Sequence, residues 1–194
     1  MGNTKSKKST EQKKKQYIKD SVKYFQEVGY KKANMSKLAK NLDVSVGTLY
    51  KIFGNKEDLY LEYIIYQIDT FSQILNKNET KDSMSNLKLY LEYKYNYFIF
   101  HKKSIELSLA YDPFFFYKLN TDKSHPMDKI FEFLAKQFKE ILKDDKKDYI
   151  HIAILFKKLS DGYAESFKIK KFDTSNIIDD TIDMFFNGLL QHRK

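Results

Sequence analysis

The chain is 194 residues long, with 35 Lys+Arg against 26 Asp+Glu and a formal net charge of +9; that length fits one or two domains with a real core. Charged residues at 31% and hydrophobic residues at 42% describe a globular rather than a disordered chain. There is no cysteine, which removes disulfide scaffolds, thiolate zinc sites and cysteine nucleophiles. No apolar run approaches the ~20 residues that span a bilayer, and the first 16 residues are polar and lysine-rich with no apolar core of a signal peptide. The expected location is therefore the cytoplasm, with no membrane partner.

The charge is unevenly spread. Residues 1–60 hold 14 Lys against six acids, a net of +8, whereas residues 61–194 hold 21 basic and 20 acidic groups, a net of +1. The excess fits either a surface for a polyanion or a solvated lysine-rich face. Met1-Gly2 followed by Ser6 matches the N-myristoylation pattern, with Lys5, Lys7 and Lys8 as a polybasic second signal. A flexible basic arm over residues 1–8 accounts for the same residues, and intact mass separates the two.

Two prolines and six glycines punctuate the chain, and apolar residues recur at spacings of three and four, so an all-α fold of about nine helices is expected. The first helix is expected after Ser9, where Ser9 and Gln12 have the form of a capping box; it buries Ile18, Val22 and Phe25 and ends at Gly29. Asn34 caps a helix over 35–41, Ser45 one over 46–53, and Asn55 a longer one from Lys56. That longer helix buries Leu61, Ile64, Ile65, Ile68, Phe71 and Leu75 and stops in the polar stretch 76–82. Further helices are read at 83–101, 103–110, 126–143, 147–168 and 175–191.

The segment 35–54 carries the pattern of a helix-turn-helix. Leu38 and Leu42 supply one inner face, Leu49 and Ile52 the other, and Ala39 is the small residue where the helices cross. Val44 plugs the turn beside Asp43, whose short polar side chain tolerates a left-handed backbone. Val46, Gly47, Thr48 and Lys51 then face outward, a small surface with one long cation, suited to a helix entering a major groove by its N-terminus. An ordinary helical hairpin has the same inner pattern.

The flanks add to the pattern. The stretch 18–65 resembles the N-terminal domain of the TetR family of transcriptional regulators, through Phe25, Gly29-Tyr30, Leu38-Ala39, Val44-Ser45, Gly47-Thr48-Leu49-Tyr50, Phe53, Asn55-Lys56-Glu57 and Leu59. Lys31-Lys32-Ala33-Asn34 stands where the family has a Thr pair, and Leu42-Asp43 where it favours Ala-Gly. The resemblance implies a helix-turn-helix domain over 9–55 and a helical ligand-binding and dimerisation domain over 56–194. It further implies phosphate contacts from Tyr50 and Lys56, with Ser45 and Asn34 beside them. Base edges fall to Val46, Gly47, Thr48 and Lys51, with Lys51 aimed at guanine and Val46 and Thr48 at a thymine methyl. Packing of Tyr50 on the first helix, or a phosphate-only role for Lys51, are the alternatives. Lysines before Tyr17 add salt-dependent affinity or reach a minor groove.

Residues 60–120 contain nine Tyr and six Phe. Tyr90, Tyr93, Tyr97 and His101, followed by Tyr111 and Phe114, are the candidates to line a pocket for a hydrophobic or aromatic effector; a plain aromatic core is the other reading. The last two helices are apolar on more than one side, at Ile152, Leu155, Phe156, Leu159 and Tyr163, then Ile178, Ile182, Phe185, Phe186, Leu189 and Leu190. The resemblance implies that they form a homodimer interface, which suits an inverted-repeat operator in double-stranded DNA. Repression, with release by the effector, is what the family implies; a DNA-binding scaffold protein without an effector is the alternative. Four scattered histidines, no glycine-rich phosphate loop and no nucleophile elbow leave nothing for catalysis. His151 pairs with Asp148 only at helical spacing. No cofactor or metal is implied.

Overall fold

A computed structural model describes residues 3–96 and 125–190. Among them are eight helices and no strand: α1 (Asn3–Lys32), α2 (Met35–Asn41), α3 (Val46–Phe53), α4 (Lys56–Lys77), α5 (Ser83–Tyr95), α6 (Asp128–Leu142), α7 (Tyr149–Ile169) and α8 (Ile177–Leu190). The helix expected over 103–110 lies outside the described residues.

The N-terminus departs from expectation. The helix begins at Asn3 and passes straight through Ser9, so the capping box expected at Ser9 is not found. No proline or glycine stands between Asn3 and Val28, and Lys, Gln and Glu are good helix formers, so nothing local stops the helix there. Gly29 does break it, at φ 69 and ψ 174, a conformation that favours glycine, before a last turn through Lys32.

The chain divides into two compact units that part within α4, between Thr70 and Phe71. In the first, α1–α3 and the start of α4 enclose a core of Phe25, Leu38, Ala39, Leu49, Phe53, Leu59, Tyr60 and Tyr63. Lys14 of α1 reaches Glu62 of α4 at 2.6 Å, with its ammonium 5.8 Å from the Phe53 ring centroid. One of the lysines assigned to a polyanion is thus engaged within the protein.

In the second unit α5–α8 pack around Leu87, Leu91, Ile130, Leu134, Phe138, Ala153 and Phe156. Phe138, Phe156 and Phe185 meet with ring centroids 4.9–5.4 Å apart. Asp82 caps α5 through the Ser85 amide. The Asp148 carboxylate accepts from the His151 backbone N–H at 3.0 Å and caps α7, which explains the spacing of that pair.

Candidate nucleic-acid interface

Local capping builds the helix-turn-helix. Asn34 Oδ1 accepts from the amides of Ser36 and Lys37 at 2.9 and 3.1 Å, fixing the start of α2. The Asn34 backbone N–H donates to the Tyr24 hydroxyl at 2.8 Å, and that hydroxyl donates back to the Asn34 carbonyl at 3.2 Å. Ser45 Oγ accepts from the Thr48 amide at 3.0 Å and shares a hydrogen bond with Thr48 Oγ1 at 2.8 Å. Between the helices Asp43 adopts φ 52, the left-handed turn that a short polar side chain permits. The amide of Val44 donates to the Ala39 carbonyl at 3.0 Å and closes the turn. Leu38, Ala39 and Leu49 are buried to 1% exposure or less, as the sequence indicates, whereas Leu42 and Ile52 are half-buried against that core.

With that side closed, α3 turns its other side outward. Tyr50 is 47% exposed, Gly47 and Lys51 are exposed, and Val46 and Thr48 are half-buried. Gly47 has ordinary helical backbone, and a Cβ added there meets only Ser45 Oγ, at 3.7 Å. Nothing within the described residues requires glycine at this place. Gly54, by contrast, sits at φ 80 with its absent Cβ 3.1 Å from Asp58 Oδ2, so the link from α3 to α4 does need it. A groove of about 580 Å³ opens at the turn, lined by Ser36, Ala39, Lys40, Asp43, Val44, Ser45 and Val46.

Lys56 is the first residue of α4. Its Nζ lies 4.5 Å above the Tyr30 ring centroid and 3.4 Å from the Lys31 carbonyl oxygen. The sequence singles out Lys56 but not these neighbours; Gly29-Tyr30 is the signal for them, since a left-handed glycine returns the following aromatic toward α4.

The pocket candidates fare differently. Tyr97, His101, Tyr111 and Phe114 lie outside the described residues. Tyr90 is 2% exposed and packs against Phe71 and Phe156 at 5.7 and 5.9 Å. Tyr93 is 37% exposed, so it lies at the edge of the buried stripe and not within it. The buried stripe of α5 runs instead through Asn86, Leu87, Tyr90, Leu91, Lys94 and Tyr95, a spacing of four that follows the helical turn more closely than three.

The stripe holds a group the sequence reading missed. Lys94, 3% exposed, donates to Asp161 Oδ1 and Ser160 Oγ at 2.6 Å each and to the Lys157 carbonyl at 3.1 Å. Lys157 Nζ meets the other Asp161 oxygen at 2.6 Å. Burial alone raises the Asp161 carboxyl, but the two ammoniums and their hydrogen bonds outweigh it and hold it below the usual aspartate value. A lysine in a stripe of Leu and Tyr was the available signal. Among the described residues no group of His, Asp or Glu could hold a metal, and no helix is long and apolar enough to cross a membrane.

Comparison with known proteins agrees with this geometry. Residues 18–63 match the family described as "Bacterial regulatory proteins, tetR family". An uncharacterized HTH-type transcriptional regulator of Bacillus subtilis, YuxN, is 32% identical over 100 residues, which span 50% of this chain and 34% of that protein. The chain therefore aligns with about a third of that relative's length. Among solved structures, the regulator FadR of Bacillus halodurans superposes with TM-score 0.68 at 22% identity, covering 92% of this chain and 96% of that one. FadR of Bacillus subtilis, in complex with stearoyl-CoA, gives 0.62 at 17% identity, covering 88% and 96%. At these identities the structures speak for the fold.

Proposed function

We propose, from the premise that residues 18–63 are a DNA-binding domain of the tetR family of bacterial regulatory proteins, that the chain is a homodimeric repressor of an inverted-repeat operator. The observation that carries this is the outward side of α3: a capped helix presenting an exposed Gly47, Tyr50 and Lys51 with no intramolecular use for the glycine. Tyr50, Lys56, Ser45 and Asn34 contact phosphates, and Val46, Gly47, Thr48 and Lys51 read base edges. Dimerisation runs through α7 and α8, where Leu155 and Met184 stay 41% and 55% exposed in the single chain. A hydrophobic effector in the second domain, with Tyr90, Tyr93, Tyr97, His101, Tyr111 and Phe114 as its candidate wall, releases the operator by altering the spacing of the two recognition helices. The stearoyl-CoA bound to one fold relative makes long-chain acyl compounds the first probes.

Selection of bound duplexes from a random DNA pool tests the proposal. An enriched inverted repeat is expected, with binding that falls steeply with salt and is weakened by Lys56→Ala and Tyr50→Phe. Weak binding with no enriched sequence would reduce the basic first third to a general polyanion surface.

A further inference from the structure

We infer that Tyr30 is a positioning residue for DNA binding, holding the Lys56 ammonium ready for a phosphate before the operator arrives. The inference rests on the proposed phosphate contact of Lys56 and adds a residue that contact does not itself supply.

The arrangement is built from both sides. Gly29, at φ 69, turns the chain at the end of α1 so that Tyr30 comes back against α4. One side of its ring is anchored: the Tyr60 ring lies 5.0 Å away, and Tyr60, itself 3% exposed, packs on Phe25 at 5.1 Å and Tyr63 at 5.3 Å. Lys56 Nζ stands 4.5 Å from the Tyr30 centroid, within the range where a ring's negative face attracts a cation. The Lys31 carbonyl, in the single turn that follows Gly29, accepts from the same ammonium at 3.4 Å.

An ammonium has three donors. With one given to Lys31 and one turned to the ring face, one remains for an external acceptor, and Lys56 keeps partial exposure through which to use it. A free lysine would have to give up its rotamer freedom on binding DNA; here much of that ordering exists already, so the phosphate contact gains affinity without a new bond. Lys14 shows the contrast, since its ammonium ends on the Glu62 carboxylate and is not offered outward in the same way.

A double-mutant cycle tests this, using full-length protein and the inverted-repeat duplex recovered by selection. Tyr30→Leu keeps an apolar contact to Tyr60 and removes the ring face; about a threefold to tenfold loss of affinity is expected. Tyr30→Phe should bind as the parent, because the ring and not the hydroxyl holds the cation. In a Lys56→Met background, Tyr30→Leu should cost nothing further, while the salt slope drops by about one from Lys56→Met alone. Equal losses from Tyr30→Leu in both backgrounds would make Tyr30 a packing residue and overturn the inference, as would no loss in either. If Lys56→Met leaves affinity and slope unchanged, the proposed phosphate contact fails first and the inference falls with it. Thermal unfolding of each variant identifies any that do not fold, and Tyr30→Phe with and without Lys56→Met then carries the test, an affinity drop on losing the hydroxyl overturning the ring-based account.

Discussion

Gly47→Ala should make the protein more stable and worse at binding DNA. The added methyl meets only Ser45 Oγ, at 3.7 Å, so the folded chain has room for it without movement. The backbone there is helical, and alanine is favoured over glycine inside a helix by up to about 1 kcal/mol, less in the first turn. For a domain of this size that raises the midpoint of thermal unfolding by roughly 2–4 °C at most. On DNA the same methyl stands where the start of α3 is to approach base edges. Overpacking a close contact costs about 1–3 kcal/mol, which corresponds to a roughly five- to 150-fold weaker operator complex. Calorimetric unfolding and fluorescence anisotropy with the selected duplex measure the two effects on one preparation. Operator affinity equal to the parent would refute the placement of α3 against the groove. A lowered unfolding temperature would refute the claim that the fold has no use for this glycine.

Asp43→Gly relieves an L-residue held at φ 52 and should raise stability by about 0.5–1 kcal/mol, read as a shift of the urea midpoint at unchanged slope. Asp161→Asn leaves Lys94 buried without its carboxylate and should cost about 3 kcal/mol at neutral pH. Because the Asp161 carboxyl is held below its ordinary value, its contribution is complete above the unfolded value of about 4 and is lost as pH falls through the lower folded one. Urea unfolding from pH 7 down to pH 2 should show the gap between parent and variant narrowing only at the acid end. A constant gap would mean that folding leaves the proton affinity of Asp161 unchanged, and a gap that widens toward acid pH would mean that the folded protein holds the carboxyl protonated.

The parts of the molecule legible in its sequence are those fixed over short distances. Asn34 and Ser45 cap by reaching two or three residues ahead, and Gly29 and Gly54 announce turns that few other residues could make. Those signals placed α2, α3 and the start of α4, and with them the outward face of α3. The long-range polar contacts left no such trace. Lys94 and Asp161 are 67 positions apart, Lys14 and Glu62 are 48 apart, and each of these residues alone reads as surface charge. Tyr93 shows the limit of periodicity: spacing alone set it beside Tyr90, but only the packing of α5 decides which strip of a helix is covered. At the N-terminus a plausible cap at Ser9 was outvoted by helix formers on both sides of it, since a serine caps only where the chain has reason to stop.

The bracket between Tyr24 and Asn34 gives the first unit an internal reporter. Asn34 lies in the link between α1 and α2, outside any helical ladder, where a backbone amide would ordinarily trade its proton with solvent within moments of opening. Its N–H is instead held by a phenol oxygen whose ring is 9% exposed, so exchange there should wait for α1 to come away from α2. In deuterium exchange, this one amide would report the separation of those helices, and Tyr24→Phe would silence the signal while leaving the α2 cap in place.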